Sequence, residues 1–281
     1  MAKIPFRKGQ NFCIFCNSPG LTREHMWADW LKEYIPRTED RHCTGVTIIG
    51  IHEDENREEI SIRAGDLHSR RIKCVCGVCN SGWMSALQTS ARPILVPTLA
   101  GEPIQLHRRS QTILSAWCTM MTMVSEHLQQ GMSSISPTER DYLKTHQKPP
   151  RNWRIWIGRH AGQNHTRYFH RTLPFVTKDE FERSGGPSTD VAANTQTTTI
   201  CLGKHLLIHI MSSDVGWSLI RRWRLPAQIR DNLVQIWPVR DKIICWPPDL
   251  ALNDAGVALI ADDLMGKVTT FLRSNHGTRA P

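Results

Sequence analysis

The sequence has no apolar run long enough to cross a lipid bilayer. Its most apolar stretch, residues 112–124, is too short for a membrane-spanning helix and is rich in Thr and Ser. Residues 1–8 lack the apolar core that a secretory signal requires. These absences predict a protein that works in the cytoplasm and does not associate with membranes.

A disulfide framework is also missing. The nine cysteines are an odd number and are sparse for 281 residues, whereas small secreted scaffolds are dense in cysteine. Four of them form two Cys-x-x-Cys pairs and the other five are scattered singly. This usage indicates a reducing compartment and favours metal binding over disulfide bonding.

Acidic residues are the minority among the charges. Lys and Arg total 35 against 26 Asp and Glu, a formal net charge of +9. A basic surplus suits a polyanionic partner, because neutralised phosphates release counterions when the protein binds. Charge alone is a weak argument, because many soluble proteins are mildly basic, and nucleic acid is the partner that it suggests. No feature of the sequence sets the oligomeric state.

Prolines divide the chain into two expected units. Pro93, Pro97 and Pro103 punctuate a stretch that reads as a connection. We therefore expect a first domain over residues 1–92 and a second over residues 108–281.

The first unit has the pattern of a small zinc fold. Apolar residues at helical spacing predict a short helix over residues 22–34. The apolar run 46–51 and the alternating residues 59–63 predict a β-hairpin, and residues 81–90 predict a further helix. We call each Cys-x-x-Cys turn a knuckle. Two knuckles, with a hairpin between them and a helix after the second, predict a treble-clef ββα unit, and hence an α+β fold.

The second unit mixes helices and antiparallel strands and has no catalytic motif. Apolar spacing predicts helices over residues 113–128 and around 260–271, and residues 136–139 have the capping-box pattern. Residues 153–159 alternate like a strand, and residues 197–210 predict a hairpin around Gly-Lys. Recognition of a target or a partner is the expected role of this unit.

The two Cys-x-x-Cys pairs predict a structural zinc site. Cys13, Cys16, Cys76 and Cys79 supply the four thiolates that a closed tetrahedral Zn²⁺ site needs. Cys74 is an alternative ligand, although Cys76 and Cys79 have the better spacing. Because four thiolates leave no open position, this zinc would hold the chain together without taking part in chemistry.

The dipeptide Glu24-His25 lies between the knuckles, and Asn80 follows the second one directly. An imidazole suits proton abstraction near neutral pH, and carboxylate and amide oxygens suit a hard divalent cation. The alternative is an exposed Glu-His pair at the start of a helix, where Glu24 complements the helix dipole. The position between two knuckles favours a catalytic site.

These residues resemble the HNH endonuclease family in its zinc-stapled ββα-metal form. The resemblance covers residues 12–90 and lies in Cys-x-x-Cys, then Glu24-His25, then Cys-x-x-Cys-Asn. It implies hydrolysis of DNA phosphodiester bonds, with His25 as the general base and Mg²⁺ or Mn²⁺ held by Glu24 and Asn80.

The family's middle Asn, which orients the base, has no counterpart in residues 67–73. His68, Ser69 or a backbone carbonyl is a candidate for that task. Arg70, Arg71 and Lys73 are candidates for holding phosphates.

Two other functions stay open at this point. One is a catalytically inactive zinc module that binds nucleic acid, and the other is a nuclease directed at RNA. In the second unit, Arg222 lies in an Arg-Trp-rich run and is the best candidate there for a contact with the nucleic-acid backbone.

Overall fold

The computed structural model gives a mixed α+β protein with largely antiparallel strands. It describes residues 11–35, 41–48, 57–64, 70–128, 133–163, 165–175, 183, 192–215 and 223–264, with the backbone alone in 41–48 and 57–64.

The N-terminal part is built on a two-stranded ribbon. Strand β1 (Leu21–His25) pairs antiparallel with β4 (Arg71–Cys76). Between them in the chain, β2 (Arg41–Ile48) and β3 (Arg57–Ala64) pair antiparallel as a second ribbon. The expected hairpin is therefore confirmed as a strand pair, and its connecting turn lies outside the described residues.

The helix expected over residues 22–34 is wrong. Leu21–His25 is a strand held by β4, and only Asp29–Glu33 forms a short 3-10 helix. Met26 and Leu31 are both buried. The apolar residues are therefore spaced for burial of a bent segment, and they do not form one face of a continuous helix. Strand pairing thus outweighs the local pattern.

A helical segment follows β4 directly. It begins as α1 (Gly77–Cys79), passes through a π-helical stretch (Asn80–Met84) and continues as α2 (Ser85–Ala100). The helix predicted over residues 81–90 is therefore confirmed, and it is longer than expected.

The connection expected over residues 92–108 is helical for most of its first half, because α2 runs through Pro93 and Pro97. Proline lacks an amide hydrogen and normally interrupts a helix interior. Here Leu95 and Leu99 are buried, and this packing offsets the lost hydrogen bonds. The helix ends at Gly101, whose φ of 73° is the left-handed conformation that favours glycine at a helix terminus.

Two further helices pack behind this segment. Helix α3 (Arg108–Ser125) is continued by a 3-10 turn (Glu126–Leu128), as its apolar spacing predicts. Helix α4 (Pro137–His146) begins with the expected capping box: the Glu139 N–H donates to Ser136 Oγ at 3.3 Å, and the Ser136 N–H donates to Glu139 Oε2 at 2.9 Å.

The C-terminal part is a six-stranded sheet with the order β10-β6-β9-β8-β7 and a parallel β12 beside β6. The expected strand and hairpin are confirmed, and the last helix begins earlier than predicted, while residues 265–271 lie outside the described ranges. The elements are β5 (Ile104–Leu106), β6 (Trp153–His160), β7 (Thr166–Leu173), β8 (Thr195–Leu202), β9 (Leu206–Ser213), β10 (Leu233–Trp237), β11 (Ile244–Trp246), β12 (Ala251–Leu252) and α5 (Asp254–Ala261).

The two faces of this sheet pack against different helices. Ile155 and Ile208 belong to a core shared with Trp117 of α3, whereas Trp156 and Leu207 belong to a core shared with α5. Alternate strand residues point to opposite faces, so the sheet lies between α3 and α5.

One hydrophobic core joins the N-terminal ribbon to the sheet. Val75 of β4, Leu95 of α2, Trp117 of α3 and Ile208 of β9 belong to the same cluster of buried side chains. The ribbon therefore packs against the same core as the sheet, and the division into domains 1–92 and 108–281 stays a prediction.

Candidate functional site

The four cysteines of the two knuckles come together as the sequence predicts. The Sγ atoms of Cys13, Cys16, Cys76 and Cys79 all lie within 4.8 Å of one another. Tetrahedral zinc with Zn–S bonds of about 2.3 Å places its sulfurs about 3.8 Å apart. The donor set and its dimensions therefore fit a closed structural zinc site.

The first knuckle is a tight turn fixed by its backbone. The Asn17 N–H donates to Cys13 O and the Cys13 N–H donates to Ser18 O, both at 2.9 Å. Asn17 has a φ of 56°, a left-handed conformation that asparagine tolerates. The Ile14 N–H donates to Cys74 O at 3.0 Å, which ties this knuckle to β4.

The second knuckle is the junction of β4 and α1. Cys76 ends the strand and caps the helix, because its Sγ accepts a hydrogen bond from the Cys79 N–H at 3.5 Å. Cys74 lies outside the four-sulfur group, and burial raises the pKa of its thiol far above the ordinary value. Cys76 and Cys79, not Cys74, are therefore placed to hold a metal ion from this side.

Glu24 of β1 and Asn80, at the start of the π-helical stretch, are neighbours. Asn80 follows Cys79, and its side chain donates to Thr22 Oγ1 at 3.3 Å and lies close enough to the Glu24 carboxyl group to influence its pKa. Burial raises the pKa of Glu24 to about 7, although the Asn80 side chain acts in the opposite direction. Two residues 56 positions apart in the chain thus become neighbours.

A divalent cation at this place would have few protein ligands. In the described part of the chain, the cysteine cluster is the only group of three or more Cys, His, Asp or Glu side chains arranged to hold a metal. Glu24 and Asn80 supply one carboxylate and one amide oxygen. Mg²⁺ is commonly held by one or two carboxylates with water and substrate phosphates, so this pair fits such an ion only in that open form.

His25 faces the opposite side of the ribbon from Glu24, since successive strand residues alternate. Its Nε2 accepts a hydrogen bond from Arg71 Nε at 2.8 Å and lies 3.7 Å from Asp29 Oδ1. Burial and then the Arg71 charge lower the pKa of His25, and the neutral imidazole is the form that can accept a proton. No described hydrogen bond joins His25 to Glu24 or to Asn80.

The face that carries His25 is basic. Arg23 pairs in register with Lys73, and His25 pairs with Arg71. We call these four residues the basic strip. Arg23 lies two positions before His25 on the same strand, and this period-2 spacing was the signal in the sequence that could have identified it.

The other predicted nucleic-acid contacts have different positions. Arg70 is half-buried, and its carbonyl accepts a hydrogen bond from the Met26 N–H at 2.9 Å. Arg222 lies outside the described residues, as do His68 and Ser69, which were candidates for orienting the base. Within the described residues, Arg71 is the side chain that contacts the imidazole from β4.

Sequence reasoning missed Asp29 as a neighbour of His25. Asp29 lies next to the imidazole, and its carboxylate also forms an ion pair with Lys32. The sequence gives little indication of this contact, because Asp29 and Lys32 fall within the longer helix that the apolar spacing predicts.

A scan against protein-family models and searches of curated proteins and of solved structures found no match to this chain. Among the described residues, no helix has both the length and the apolarity needed to span a membrane.

Proposed function

We propose that this protein is a zinc-stapled, metal-dependent endonuclease of the HNH type that hydrolyses DNA. The observation that carries the proposal is the proximity of Asn80 to Glu24, with His25 next to Glu24 on the same strand. The order of knuckle, ribbon, knuckle and helix also supports a treble-clef ββα unit.

Each of the three residues has a defined task in this proposal. His25 takes the proton from the attacking water, for which its lowered pKa favours the required neutral form. Glu24 and Asn80 hold a Mg²⁺ or Mn²⁺ ion by their side-chain oxygens. When bound, that ion stabilises the charge that develops on the phosphate and on the leaving oxygen.

The zinc cluster has a supporting task. Cys79 precedes Asn80, and Cys13 and Cys16 hold the chain that leads into β1. Fixing the four sulfurs in one site therefore fixes Asn80 against Glu24. On the face of the ribbon opposite to Glu24, the basic strip would hold the phosphates of the DNA strand.

The direct test is a plasmid-nicking assay with zinc-loaded protein. We expect nicked circles with added Mg²⁺ or Mn²⁺ and intact plasmid when no divalent ion is added. Cleavage rates on matched DNA and RNA oligonucleotides then show which nucleic acid the protein prefers. Faster cleavage of RNA would replace the DNA assignment. Intact substrates under every metal tested contradict the proposal.

A specific observation favours a second candidate, a zinc-containing module that binds nucleic acid without cutting it. Arg71 occupies the His25 Nε2 lone pair, and the imidazole faces away from Glu24 and Asn80. An inactive module would bind DNA with a strong dependence on salt and leave it uncut. Binding and cleavage measured on the same preparation separate the two candidates.

A further inference from the structure

Asp29 places a carboxylate beside the proposed base. Its Oδ1 atom lies 3.7 Å from His25 Nε2, and Asp29 is the first residue of the 3-10 helix that follows β1. A carboxylate accepts several hydrogen bonds, so the ion pair of Asp29 with Lys32 leaves it further capacity. A shift of about 0.8 Å would bring Nε2 and Oδ1 to the distance of about 2.9 Å that an N–H···O hydrogen bond requires.

Arg71 keeps this hydrogen bond from forming. Its Nε–H donates to the same ring nitrogen at 2.8 Å, so Nε2 carries no proton that it could donate to Asp29. The proton of the neutral ring is then on Nδ1. A neutral imidazole has one lone pair with which it can take a proton, and in this arrangement Arg71 covers that lone pair.

A bound phosphate would compete with His25 for Arg71. The Arg71 side chain is exposed, and within the described residues its guanidinium forms no ion pair with a carboxylate. Hydrogen bonds between charged partners are roughly twice as strong as those between neutral ones, so a phosphate oxygen is a better acceptor for Arg71 than a neutral imidazole. Arg23 and Lys73, the other cations of the basic strip, attract phosphates to the same face.

Release of Arg71 would reverse the roles of the two ring nitrogens. Nε2 can then carry the proton and donate it to Asp29, which leaves the lone pair of Nδ1 free. Exchange with solvent removes one proton from Nδ1 and adds one to Nε2, so the charge on the ring is unchanged. A carboxylate fixes the tautomer and the orientation of the imidazole base in the serine-protease triad in the same way.

We propose that Asp29 is the positioning residue for His25, and that it takes this role when a DNA phosphate draws Arg71 away from the imidazole. This inference rests on the proposed function and deepens it, because residues 67–73 contain no Asn to orient the base. Asp29 holds Nε2–H, and Nδ1 is the atom that takes the proton from the attacking water. The contact that binds the phosphate thereby frees the base.

The first test observes the imidazole directly and involves no cleavage. Long-range proton–nitrogen NMR of full-length, zinc-loaded protein with isotope-labelled histidine distinguishes a protonated from an unprotonated ring nitrogen. The spectrum of His25→Ala identifies the signals of His25. We expect the Nδ1–H tautomer in the free protein, and a hydrogen-bonded Nε2–H signal after addition of a short DNA duplex without divalent ion.

Two variants show whether Asp29 is the acceptor of that hydrogen bond. Asp29→Ala should lose the DNA-dependent Nε2–H signal, because the proton then exchanges freely with water. Lys32→Gln breaks the same ion pair but leaves the carboxylate beside His25, so it should keep the signal.

The second test is cleavage kinetics. Asp29→Ala should lower kcat by about 10- to 100-fold, the range for loss of a carboxylate that orients a functional histidine, with KM little changed. Asp29→Glu restores a carboxylate and should recover part of the loss. Asp241→Asn is the matched control, because Asp241 is an exposed aspartate that pairs with Arg108, and it should cleave like the wild type.

Three results overturn the inference: an Nδ1–H tautomer that persists at saturating DNA, a DNA-dependent Nε2–H signal that survives in Asp29→Ala, or an unchanged kcat in that variant. Intact DNA under every metal tested would remove the proposed nuclease function alone. The NMR test needs no cleavage, and it would still decide whether Asp29 holds the imidazole.

Discussion

Arg71 Nε donates a hydrogen bond of 2.8 Å to His25 Nε2 across the paired ends of β4 and β1. The accepting nitrogen carries no proton, so a neutral imidazole in this arrangement holds its proton on Nδ1. Arg71 thus holds the ring in place and blocks the lone pair that a base would use. Phosphate oxygens are strong acceptors for a guanidinium, and a bound strand offers Arg71 an alternative partner.

Replacement of Arg71 should weaken binding of duplex DNA in a salt-dependent way. We expect Arg71→Gln to lower affinity and to reduce the salt slope by about 0.9, the value for one phosphate contact. Arg71→Lys should keep most of the slope because it keeps the charge. Arg151→Gln is the control, since Arg151 is exposed ahead of β6. An unchanged slope for Arg71→Gln means that Arg71 does not contact phosphate.

Loss of one cysteine of the cluster should reduce both the zinc content and the stability of the protein. Cys79→Ser should release the metal and lower the free energy of unfolding, because a structural site contributes its binding energy to folding. Native mass spectrometry should find one zinc per wild-type chain. Cys245→Ser removes an exposed thiol outside the cluster and should keep the metal. Full zinc content in Cys79→Ser would show that these sulfurs do not form the site.

The proposed catalytic cation should depend on Glu24. Glu24→Gln is isosteric and removes the charge that attracts a divalent ion, so binding of Mn²⁺ to zinc-loaded protein should be lost. Calorimetric titration with Mn²⁺ measures it directly. Glu33→Gln removes an exposed carboxylate on the 3-10 helix and should bind Mn²⁺ like the wild type. Equal Mn²⁺ affinity in all three proteins argues against a cation at Glu24.

Stability should fall in mild acid because of His127. Its side chain is 6% exposed, and burial, with the nearby Arg140 charge, lowers its pKa to about 3. The unfolded chain, with an ordinary pKa of about 6.5, binds the proton more readily, so stability is complete above that value and falls as the pH drops from 6.5 towards 3. As the pH falls from 7.5 to 5.5, protonation of this residue in the unfolded chain should lower the free energy of unfolding by about 1.4 kcal/mol.

The measurement is the free energy of unfolding in urea at both pH values. His127→Gln lacks the titrating group, so its loss over the same interval should be smaller by about that amount. Both proteins contain Glu126 and Arg140; because Glu126 Oε1 lies 4.0 Å from His127 Nε2, the difference between the two losses includes the coupling of His127 to these neighbours. Identical losses in the two proteins would show that His127 is accessible to protons in the folded state.

Regular patterns allowed much of the fold to be predicted from the sequence. The capping box at Ser136, the apolar face of α3 and the alternation of β6 each report a local arrangement, and the structure has all three. The cysteine site could also be predicted, because two Cys-x-x-Cys pairs in one chain supply the four thiolates that a structural zinc site needs.

The parts that sequence reasoning missed depend on distant partners. β1 is a strand because β4, some 50 residues later, pairs with it, and no local pattern reports that partner. α2 continues through Pro93 because its buried face is held by α3 and the core. Likewise the contact between Arg71 and His25 follows from the register of the ribbon, which the sequence does not specify.

The central claim is that His25 acts as the general base in DNA cleavage, and one comparison tests it most directly. Zinc-loaded wild type, His25→Ala and His146→Ala are assayed for plasmid nicking with Mg²⁺ or Mn²⁺; His146 is exposed on α4 and serves as the control. The account predicts that His25→Ala keeps its zinc and loses about 10²- to 10⁴-fold in rate, as expected for loss of a general base, while His146→Ala cleaves normally. Equal nicking by His25→Ala and the wild type would contradict it.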